Sequence, residues 1–398
     1  MRIGFISTWF ERGAAYVTKQ YADLLKECGH DIFVYARGEH HAKGNEKWDL
    51  PYVTWGKKLY DTNIDFRHFR NWIEHNQIDI LFFNEQREMT VILQTKKRFP
   101  KLKIGTYIDY YTQDSVESFK WYDFLICNTK RHYSVFDWHK QCFYLPWGTD
   151  INFFSRKNKV QRDENQIVFF HSAGMSNRKG TDILINTFID EKMYFKAKLI
   201  IHTQLPIAKL TKYTLSELEK NNIEIIERTV TAPGLYYLGD VYVYPTTLDG
   251  LGLTMYEALS MGMPVITTDC APMNEVVDNE IGKLVDVERY TCRNDAYYWP
   301  LAYVQKDSLA KAMRYYIDNA EKIDIYAKNA RCYAERKYDW SKRKEELHSI
   351  FVNAKNIERT NEEIASFEKI IKKDRLKRFG KATIVLLPNW LQRIIVRE

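Results

Sequence analysis

The stretch that decides the fold is VYVYPTTLDGLGLTMYEALSMGMPVI, residues 241–266. Its first four residues form an apolar run, which predicts a strand covered on both faces of a parallel sheet. A loop with Gly250 and Gly252 follows, and after it a helix is predicted that contains Glu257. A Gly-Met-Pro tripeptide ends that helix before a second apolar run. This order of strand, loop, helix and strand is typical of a parallel α/β sheet.

Two acidic residues in this stretch, Asp249 and Glu257, are candidates for ligand binding. Asp249 lies in the loop before the predicted helix and Glu257 lies within the helix, with seven residues between them. Because carboxylates accept strong hydrogen bonds from hydroxyl groups, this spacing suits two different hydroxyl-rich parts of one ligand. The simpler alternatives are a turn aspartate bonded to the local backbone and an ordinary glutamate on a helix surface.

The alternation of strands and helices extends in both directions from this stretch. Apolar runs recur with helical or loop segments between them, and a polar segment, Ser155–Gln166, separates two series and is predicted to be a linker. The predicted strands are Arg2–Ser7, Ile32–Tyr35, Ile78–Phe83, Lys103–Ile108, Phe124–Cys127, Cys142–Leu145, Ile167–His171, Lys198–His202, Ile223–Ile226, Val241–Tyr244 and Pro264–Thr268. The pattern predicts an α/β protein with two Rossmann-like, doubly wound domains in tandem.

Each series opens with a strand, a glycine-bearing loop and a helix. The first loop is Phe10–Ala15 and the second is Ala173–Thr181. Helix N-termini present backbone N–H groups to anions, and Arg178 and Lys179 add two cations at a place that suits a diphosphate. Neither loop has the Gly-x-Gly-x-x-Gly dinucleotide fingerprint, and a single glycine after a strand often serves only a turn.

The motif around Asp249 and Glu257 resembles that of the retaining glycosyltransferases of the GT-B fold, family 4 (glycosyl transferases group 1). Those enzymes carry two glutamates with seven residues between them, followed by Gly-x-Pro-Val-Ile, and residues 262–266 fit the latter pattern. The resemblance covers residues 1 to about 355, and it also rests on the first strand and loop, Leu145–Asp150, Lys179-Gly180 and Tyr338–Ser341. It implies two Rossmann-like domains that face each other across a cleft.

The resemblance implies binding roles for particular residues. Glu257 would hold the nucleotide ribose, and Lys179 would hold the diphosphate. Gly13 would belong to the loop that closes over the phosphate and the donor sugar. Arg178 would replace an arginine that the family usually carries a few residues before the lysine. Backbone N–H groups would bind phosphate or sugar at Gly250, Leu251, Gly252 and Leu253.

The resemblance also implies which acidic residues take part in catalysis, namely Asp109 and Asp249. Asp249 stands where the family usually has glutamate, so its side chain is one methylene shorter. Asp109 follows Ile108, where the family often has histidine. The donor would be a nucleotide-diphosphate sugar, no metal ion would be needed, and the donor's own phosphate oxygen would accept the proton of the acceptor hydroxyl.

Composition places the chain among ordinary globular proteins with more than one domain. It has 398 residues, and 59 basic against 52 acidic residues give a net charge of +7. That excess is too small to imply a nucleic-acid partner. The six cysteines include no Cys-x-x-Cys pair and no cysteine and histidine cluster with metal-ligand spacing, which suggests reduced thiols and a cytoplasmic protein.

The sequence predicts no transmembrane helix. The longest run without Asp, Glu, Lys or Arg is the thirteen residues 165–177, whereas about 20 apolar residues are needed to span a bilayer. The N-terminal apolar run is short and lacks a small-residue cleavage site, so nothing suggests export.

The C-terminal tail lies outside the family resemblance. One helical face carries Ile364, Phe367, Ile370 and Ile371, and the segment Lys369–Lys381 contains seven basic residues against one acidic residue. The apolar residues Ile384, Val385, Leu386, Leu387, Trp390, Leu391, Ile394 and Ile395 follow. Basic charge beside apolar residues and tryptophan is typical of a segment that binds an anionic membrane surface. The alternatives are a helix that packs back on the protein and a dimer contact.

The predicted organisation is an N-terminal acceptor-side domain (1–152), a nucleotide-sugar domain (166–340), a helix crossing back to the N-terminal domain (341–355) and a basic amphipathic tail (356–398). The predicted function is retaining hexosyl transfer from a nucleotide sugar to a glycan, lipid-linked or protein acceptor, in cell-surface polysaccharide or glycolipid assembly. The enzyme would be cytoplasmic and peripheral on the inner face of the membrane. The alternatives are a non-catalytic GT-B subunit that partners an active transferase, and a nucleotide-sugar epimerase or hydrolase on the same fold.

Overall fold

A computed structural model describes residues 1–38, 42–57, 59, 61–156 and 166–385, with side chains up to residue 374. The described residues form two compact units. Unit 1 contains Met1–Tyr107, Glu117–Leu125 and the residues from Asn353 onward, and unit 2 contains Ile108–Val116 and residues of Ile126–Val352.

The first sheet has seven strands in the order β3-β2-β1-β4-β5-β6-β7. The pairings from β3 through β5 are parallel, with Ile3 opposite both Ile32 and Ile80. The strands are β1 (Arg2–Ser7), β2 (Asp31–Ala36), β3 (Val53–Trp55), β4 (Ile80–Phe83), β5 (Lys103–Tyr107), β6 (Phe124–Cys127) and β7 (Cys142–Tyr144). The helices in this part of the chain are α1 (Gly13–Glu27), α2 (Phe66–Asn76), α3 (Thr90–Arg98) and α4 (Lys130–Phe136).

The second sheet is parallel and has six strands in the order β10-β9-β8-β11-β12-β13. The strands are β8 (Ile167–Gly174), β9 (Ala197–Thr203), β10 (Ile223–Glu227), β11 (Val241–Tyr244), β12 (Val265–Thr268) and β13 (Gly282–Val285). The helices that accompany it are α5 (Thr181–Asp190), α6 (Leu215–Lys220), α7 (Leu253–Ser260), α8 (Met273–Val276), α9 (Lys306–Asp318), α10 (Ile323–Lys337) and α11 (Lys344–Asn353). A separate antiparallel hairpin consists of β14 (Val287–Thr291) and β15 (Leu301–Val304).

The core of unit 2 forms where the apolar strand runs meet the helices on the sheet. Phe169 of β8, Leu199 of β9 and Val241 of β11 are completely buried, together with Leu184 of α5 and Met313 of α9. Burial on both faces explains why these strands read as continuous apolar runs. It also fixes the loops at the carboxyl ends of the strands, where α5 and α7 begin.

The predicted fold class is confirmed, because both halves contain a parallel, Rossmann-like α/β sheet. The structure adds β3, β13 and the β14–β15 hairpin, which the sequence did not reveal. The short strand β3 has only half-buried residues, and β14 is largely exposed, so neither produces a buried apolar run. The expectation that Gly13 lies in a loop is wrong, since Gly13 is the first residue of α1. Most of the predicted linker lies outside the described residues.

The C-terminal helix α12 (Asn361–Val385) packs on unit 1 through its first half. The ring of Phe367 stacks on Trp121 with centroids 4.0 Å apart, and Phe367 and Ile371 are buried. Just before the helix, the Ile357 N–H donates to the buried carboxylate of Asp123 over 2.8 Å.

This packing covers part of the apolar face of the tail. Two of the four residues of this face, Phe367 and Ile371, are buried against apolar partners within the protein, because Trp121 lies beside this face of the helix. Lys369 and Lys373 of the basic cluster are exposed. Arg375, Lys377, Arg378 and Lys381 lie on the part of α12 without described side chains, and residues 386–398 lie outside the described residues. None of the described helices has the length and apolar content to cross a bilayer.

Candidate functional site

The candidate site lies in unit 2, at the carboxyl ends of the neighbouring strands β8 and β11. The chain leaves β8 toward β9 on one side and leaves β11 toward β12 on the other, so the strand order reverses between them. Ligands of open α/β sheets bind at such switch points. The two loops contact each other, because the Thr247 N–H donates to the Arg178 carbonyl over 2.8 Å.

The two glycines at the helix starts give these loops their shape. Gly180 precedes α5 and Gly252 precedes α7, and both have a φ of +74°. That backbone conformation favours glycine. At Gly180 a Cβ would also collide with the Pro245 carbonyl. No side chain caps either helix, so their first turns direct backbone N–H groups and the positive dipole ends toward the site.

Lys179 and Asp249 form an ion pair at this edge of the sheet, and each side chain keeps less than a fifth of its surface exposed, at 19% and 17%. The Tyr244 hydroxyl accepts a hydrogen bond from Lys179 and donates one to Asp249. The Gly252 N–H donates to the other oxygen of Asp249 over 3.0 Å. Burial opposes ionisation of Asp249, but these three partners outweigh it and hold the pKa of the carboxyl well below its usual range. Asp249 therefore carries a full negative charge at neutral pH.

Glu257 lies on α7 and is half-buried. Its carboxylate accepts a hydrogen bond of 2.5 Å from the Tyr236 hydroxyl. Burial raises the pKa of Glu257 to about 7, although the bond from Tyr236 works in the opposite direction. Both acidic residues of the motif thus have a tyrosine partner, but only Asp249 has a cationic one among its hydrogen-bond partners in the described chain.

Asp109 belongs to unit 2 and lies against the loop that follows β11. A Cβ added at Gly250 would collide with Oδ1 of Asp109, so the carboxylate contacts the loop at its glycine. The backbone carbonyl of Asp109 accepts a hydrogen bond of 3.1 Å from the Tyr297 hydroxyl. The ring of Tyr110 stacks on Tyr297 with centroids 5.3 Å apart. The segment between β14 and β15 therefore helps to hold Asp109 in place.

Arg131, in the first turn of α4, is a site residue that the sequence did not suggest. Its guanidinium donates to the carbonyl of Asp249 over 2.6 Å and to the carbonyl of Ala271. Glu275 accepts from the N–H groups of Lys130 and Arg131, and so fixes the start of α4. No local signal identifies Arg131, because its partner Asp249 lies 118 residues away in the sequence.

His171 is a second residue whose place only the structure reveals. It is buried on β8 and bonds the Val243 carbonyl at 2.8 Å and the Thr181 hydroxyl at 2.9 Å. Burial lowers its pKa to about 4, so the ring is neutral at physiological pH. It connects two strands to the first residue of α5 and positions that helix start.

The predicted site residues divide into three groups. The structure brings Lys179, Asp249 and Gly252 together through direct hydrogen bonds, with Gly250 and Asp109 in contact beside them. The remaining predicted residues of unit 2 are placed as follows: Glu257 on α7, Leu253 at the first position of α7, Leu251 buried in the loop before it, and Arg178 half-buried with its carbonyl bonded to that loop. Gly13 belongs to unit 1.

The described residues contain no group of three or more His, Cys, Asp and Glu side chains arranged to hold a metal ion. Lys179 and Arg131 bring cationic side chains to the candidate site. Positive charge and helix N-termini at one edge of the sheet suit an anionic ligand.

Comparisons with known proteins agree with this architecture. Residues 164–295 match the model of the family Glycosyl transferases group 1. An uncharacterized glycosyltransferase of Methanocaldococcus jannaschii is 25% identical over 216 residues, which cover 52% of this chain and 51% of that protein. The match thus spans about half the length of this relative.

Solved structures resemble most of the chain. Anabaena HepE, crystallised with UDP and glucose, has a TM-score of 0.66 at 15% identity, covering 88% of this chain and 99% of HepE. Sucrose-phosphate synthase of Thermosynechococcus elongatus has a TM-score of 0.68 at 14% identity, covering 88% and 98% of the two chains.

These similarities show the fold: the chain has the GT-B fold of the solved structures that it resembles. Residues 164–295 are similar to the family Glycosyl transferases group 1, in agreement with the resemblance of the motif around Asp249 and Glu257.

Proposed function

We propose that the protein is a retaining glycosyltransferase that moves a hexose from a nucleotide-diphosphate sugar to an acceptor hydroxyl. The observation that carries the proposal is the arrangement of Lys179 and Asp249 just before α5 and α7, with Glu257 within α7. This arrangement provides positive charge for a diphosphate. It also provides carboxylates for the hydroxyl groups of the two sugars on either side of the diphosphate. The Anabaena relative has been solved with UDP-glucose, which is a ligand of this chemical class.

The leaving group of this reaction is the nucleoside diphosphate, which gains negative charge as the bond to the sugar breaks. Lys179, Arg178 and the N–H groups at the starts of α5 and α7 would stabilise that charge. Because the folded chain already holds Lys179 and these N–H groups in place, little reorganisation is needed there during the reaction. The proposal includes no resident metal ion, and chelation with EDTA should leave transfer unchanged.

The carboxylates would bind the two sugars of the donor. Glu257 would accept hydrogen bonds from the ribose, and Asp249 and Asp109, which flank Gly250, would face the transferred hexose. Retention would follow if the donor's own phosphate oxygen accepts the acceptor proton on the face that the diphosphate leaves.

A thermal-shift panel of nucleotide sugars tests the donor class most directly. A donor present at 100 times its dissociation constant should stabilise the protein by about 2.7 kcal/mol. UDP, ADP and GDP sugars should be compared with the free sugars as controls. A panel in which no nucleotide sugar raises the melting temperature would contradict the proposal. Donor binding without transfer to a broad set of acceptors would instead indicate a non-catalytic subunit, and a new sugar isomer from the donor alone would indicate an epimerase.

We further propose that the acceptor is a lipid-linked or surface glycan and that the enzyme works on the cytoplasmic face of a membrane. The support is the basic cluster that begins at Lys369 and the apolar residues that follow it in the sequence. Because α12 is packed on unit 1 by Phe367, the lysines at positions 369 and 373 are held at the protein surface. Each basic residue near anionic lipid contributes about 1 kcal/mol.

A further inference from the structure

A tyrosine hydroxyl lies between the two charged groups of the candidate donor site. Tyr244 is the last residue of β11 and its side chain is completely buried. Its hydroxyl accepts from the Lys179 ammonium and donates to Oδ2 of Asp249, while the same ammonium donates to the same oxygen. The ammonium also lies 4.8 Å from the centre of the Tyr244 ring. Three groups thus form a closed ring of hydrogen bonds.

The length of the Asp249 side chain explains why a third group is needed. Asp249 is one methylene shorter than glutamate, and its Oδ1 is held at the start of α7 by the Gly252 N–H. The carboxylate is therefore kept close to its own loop. The Tyr244 hydroxyl reaches Oδ2 from the sheet side and occupies space beside the short side chain. A side chain at position 249 that is longer by one methylene would need the space that this hydroxyl occupies.

We propose that Tyr244 is a positioning residue for the donor: its hydroxyl fixes Lys179 and Asp249 relative to each other and compensates for the short aspartate. Without it, the ammonium and the carboxylate would keep their charges but lose a common anchor in the buried sheet. The inference rests on the proposed function, in which Lys179 holds the diphosphate and Asp249 faces the hexose. The inference adds Tyr244 to the candidate site as the residue that makes the pair of Lys179 and Asp249 specific for one donor geometry.

Tyr242 provides a matched control on the same strand. It lies two residues before Tyr244, and the two buried rings stack with centroids 5.5 Å apart. Within the described part of the chain its hydroxyl makes no hydrogen bond. Tyr242→Phe therefore removes a buried tyrosine hydroxyl from β11 without touching Lys179 or Asp249.

The test compares wild type with Tyr244→Phe, Asp249→Glu, the double variant and Tyr242→Phe. Each single change at 244 or 249 should lower kcat/KM for the donor about tenfold, the loss expected for one hydrogen bond to a charged group. The loss should lie mainly in the donor KM and leave the acceptor KM unchanged. In the double variant the longer glutamate enters the space that the hydroxyl leaves, so activity should return to within about threefold of wild type. Tyr242→Phe should stay within about twofold of wild type.

Two results would overturn the inference. One is a Tyr244→Phe enzyme with wild-type donor kinetics, and the other is a double variant whose loss equals the product of the two single losses. A wild-type protein that neither binds nor uses any nucleotide sugar would refute the proposed function instead. In that case thermal unfolding of the same proteins still tests whether Tyr244 fixes Lys179 and Asp249 relative to each other: a double variant less destabilised than the sum of its singles supports that role, and strict additivity contradicts it.

Discussion

At the scale of single residues, Lys179 is the group whose charge the proposed function uses most. It is already paired with Asp249, so a bound diphosphate would share the ammonium with that carboxylate. We predict that Lys179→Ala weakens donor binding at least about tenfold, because a hydrogen bond to a charged group contributes about 1.5 to 3 kcal/mol. Lys196→Ala, a change at an exposed lysine after α5, is the control. Calorimetric titration with the donor measures both, and equal affinities would remove Lys179 from the site.

We predict that Glu257 makes donor binding depend on pH. Its pKa is raised to about 7, and an ionised carboxylate accepts hydroxyl hydrogen bonds more strongly than a neutral one. Donor affinity should therefore rise as the pH increases through about 7, and Glu257→Gln should abolish this rise. Affinities measured between pH 6 and pH 8 test the prediction, and a variant with the wild-type pH dependence would contradict it.

The same pKa gives a stability prediction of opposite sign. The folded state keeps the Glu257 proton up to about pH 7, whereas the unfolded chain loses it near the ordinary value of 4.5. The unfolded state thus binds fewer protons in this range, and the free energy of unfolding falls as the pH rises through it. Glu257→Gln should flatten this fall in urea unfolding measured from pH 4.5 to pH 8, and an unchanged slope would argue against the raised pKa.

At the scale of elements, the contact between Gly250 and Asp109 joins the β11–α7 loop to the segment held by Tyr297. Gly250→Ala should push the Asp109 carboxylate aside, since a Cβ would collide with it. We predict a loss of kcat/KM similar to that of Asp109→Ala. The double variant should be no worse than Asp109→Ala alone, because the collision partner is then gone. A double variant whose loss of kcat/KM equals the product of the two single losses would show that the two residues act independently.

Among the elements of the fold, the sequence predicts some strands and misses others. Buried parallel strands such as β8 and β11 were predictable because burial on both faces requires a continuous apolar run. The β14–β15 hairpin was not, since β14 is largely exposed and its residues carry no such run. The partners of the Asp109 segment, Tyr297 among them, therefore stayed hidden although Asp109 itself was a candidate.

The sequence also did not identify the long-range partners of the site residues. Asp249 and Glu257 stand out by their spacing on a loop and a helix. Tyr244 reads only as part of a buried strand, and Arg131 lies 118 residues from the carbonyl that it binds. Contacts of this kind depend on how strands and helices pack, which local patterns do not encode.

At the scale of the whole molecule, the tail should bring the enzyme to an anionic membrane. We predict that Lys369→Glu/Lys373→Glu weakens cosedimentation with anionic liposomes at low salt, because the added charges repel the lipid headgroups. Deletion of residues 386–398 should abolish the fraction of liposome binding that remains at high salt. Transfer to a water-soluble acceptor analogue should survive both changes. A deletion from residue 365 is less suitable, since it would remove Phe367 and Ile371 from the packing of unit 1. Unchanged sedimentation of both variants would refute the membrane role.

We propose that this protein transfers a sugar from a nucleotide donor with retention. The most direct measurement is proton NMR of the full-length protein with a nucleotide sugar and an acceptor, which follows release of the nucleoside diphosphate and the anomeric signal of the product. We predict that an α-linked donor yields an α-linked product and that Lys179→Ala forms it at least about tenfold more slowly. A β-linked product, or transfer that is as fast in Lys179→Ala as in wild type, would contradict the account.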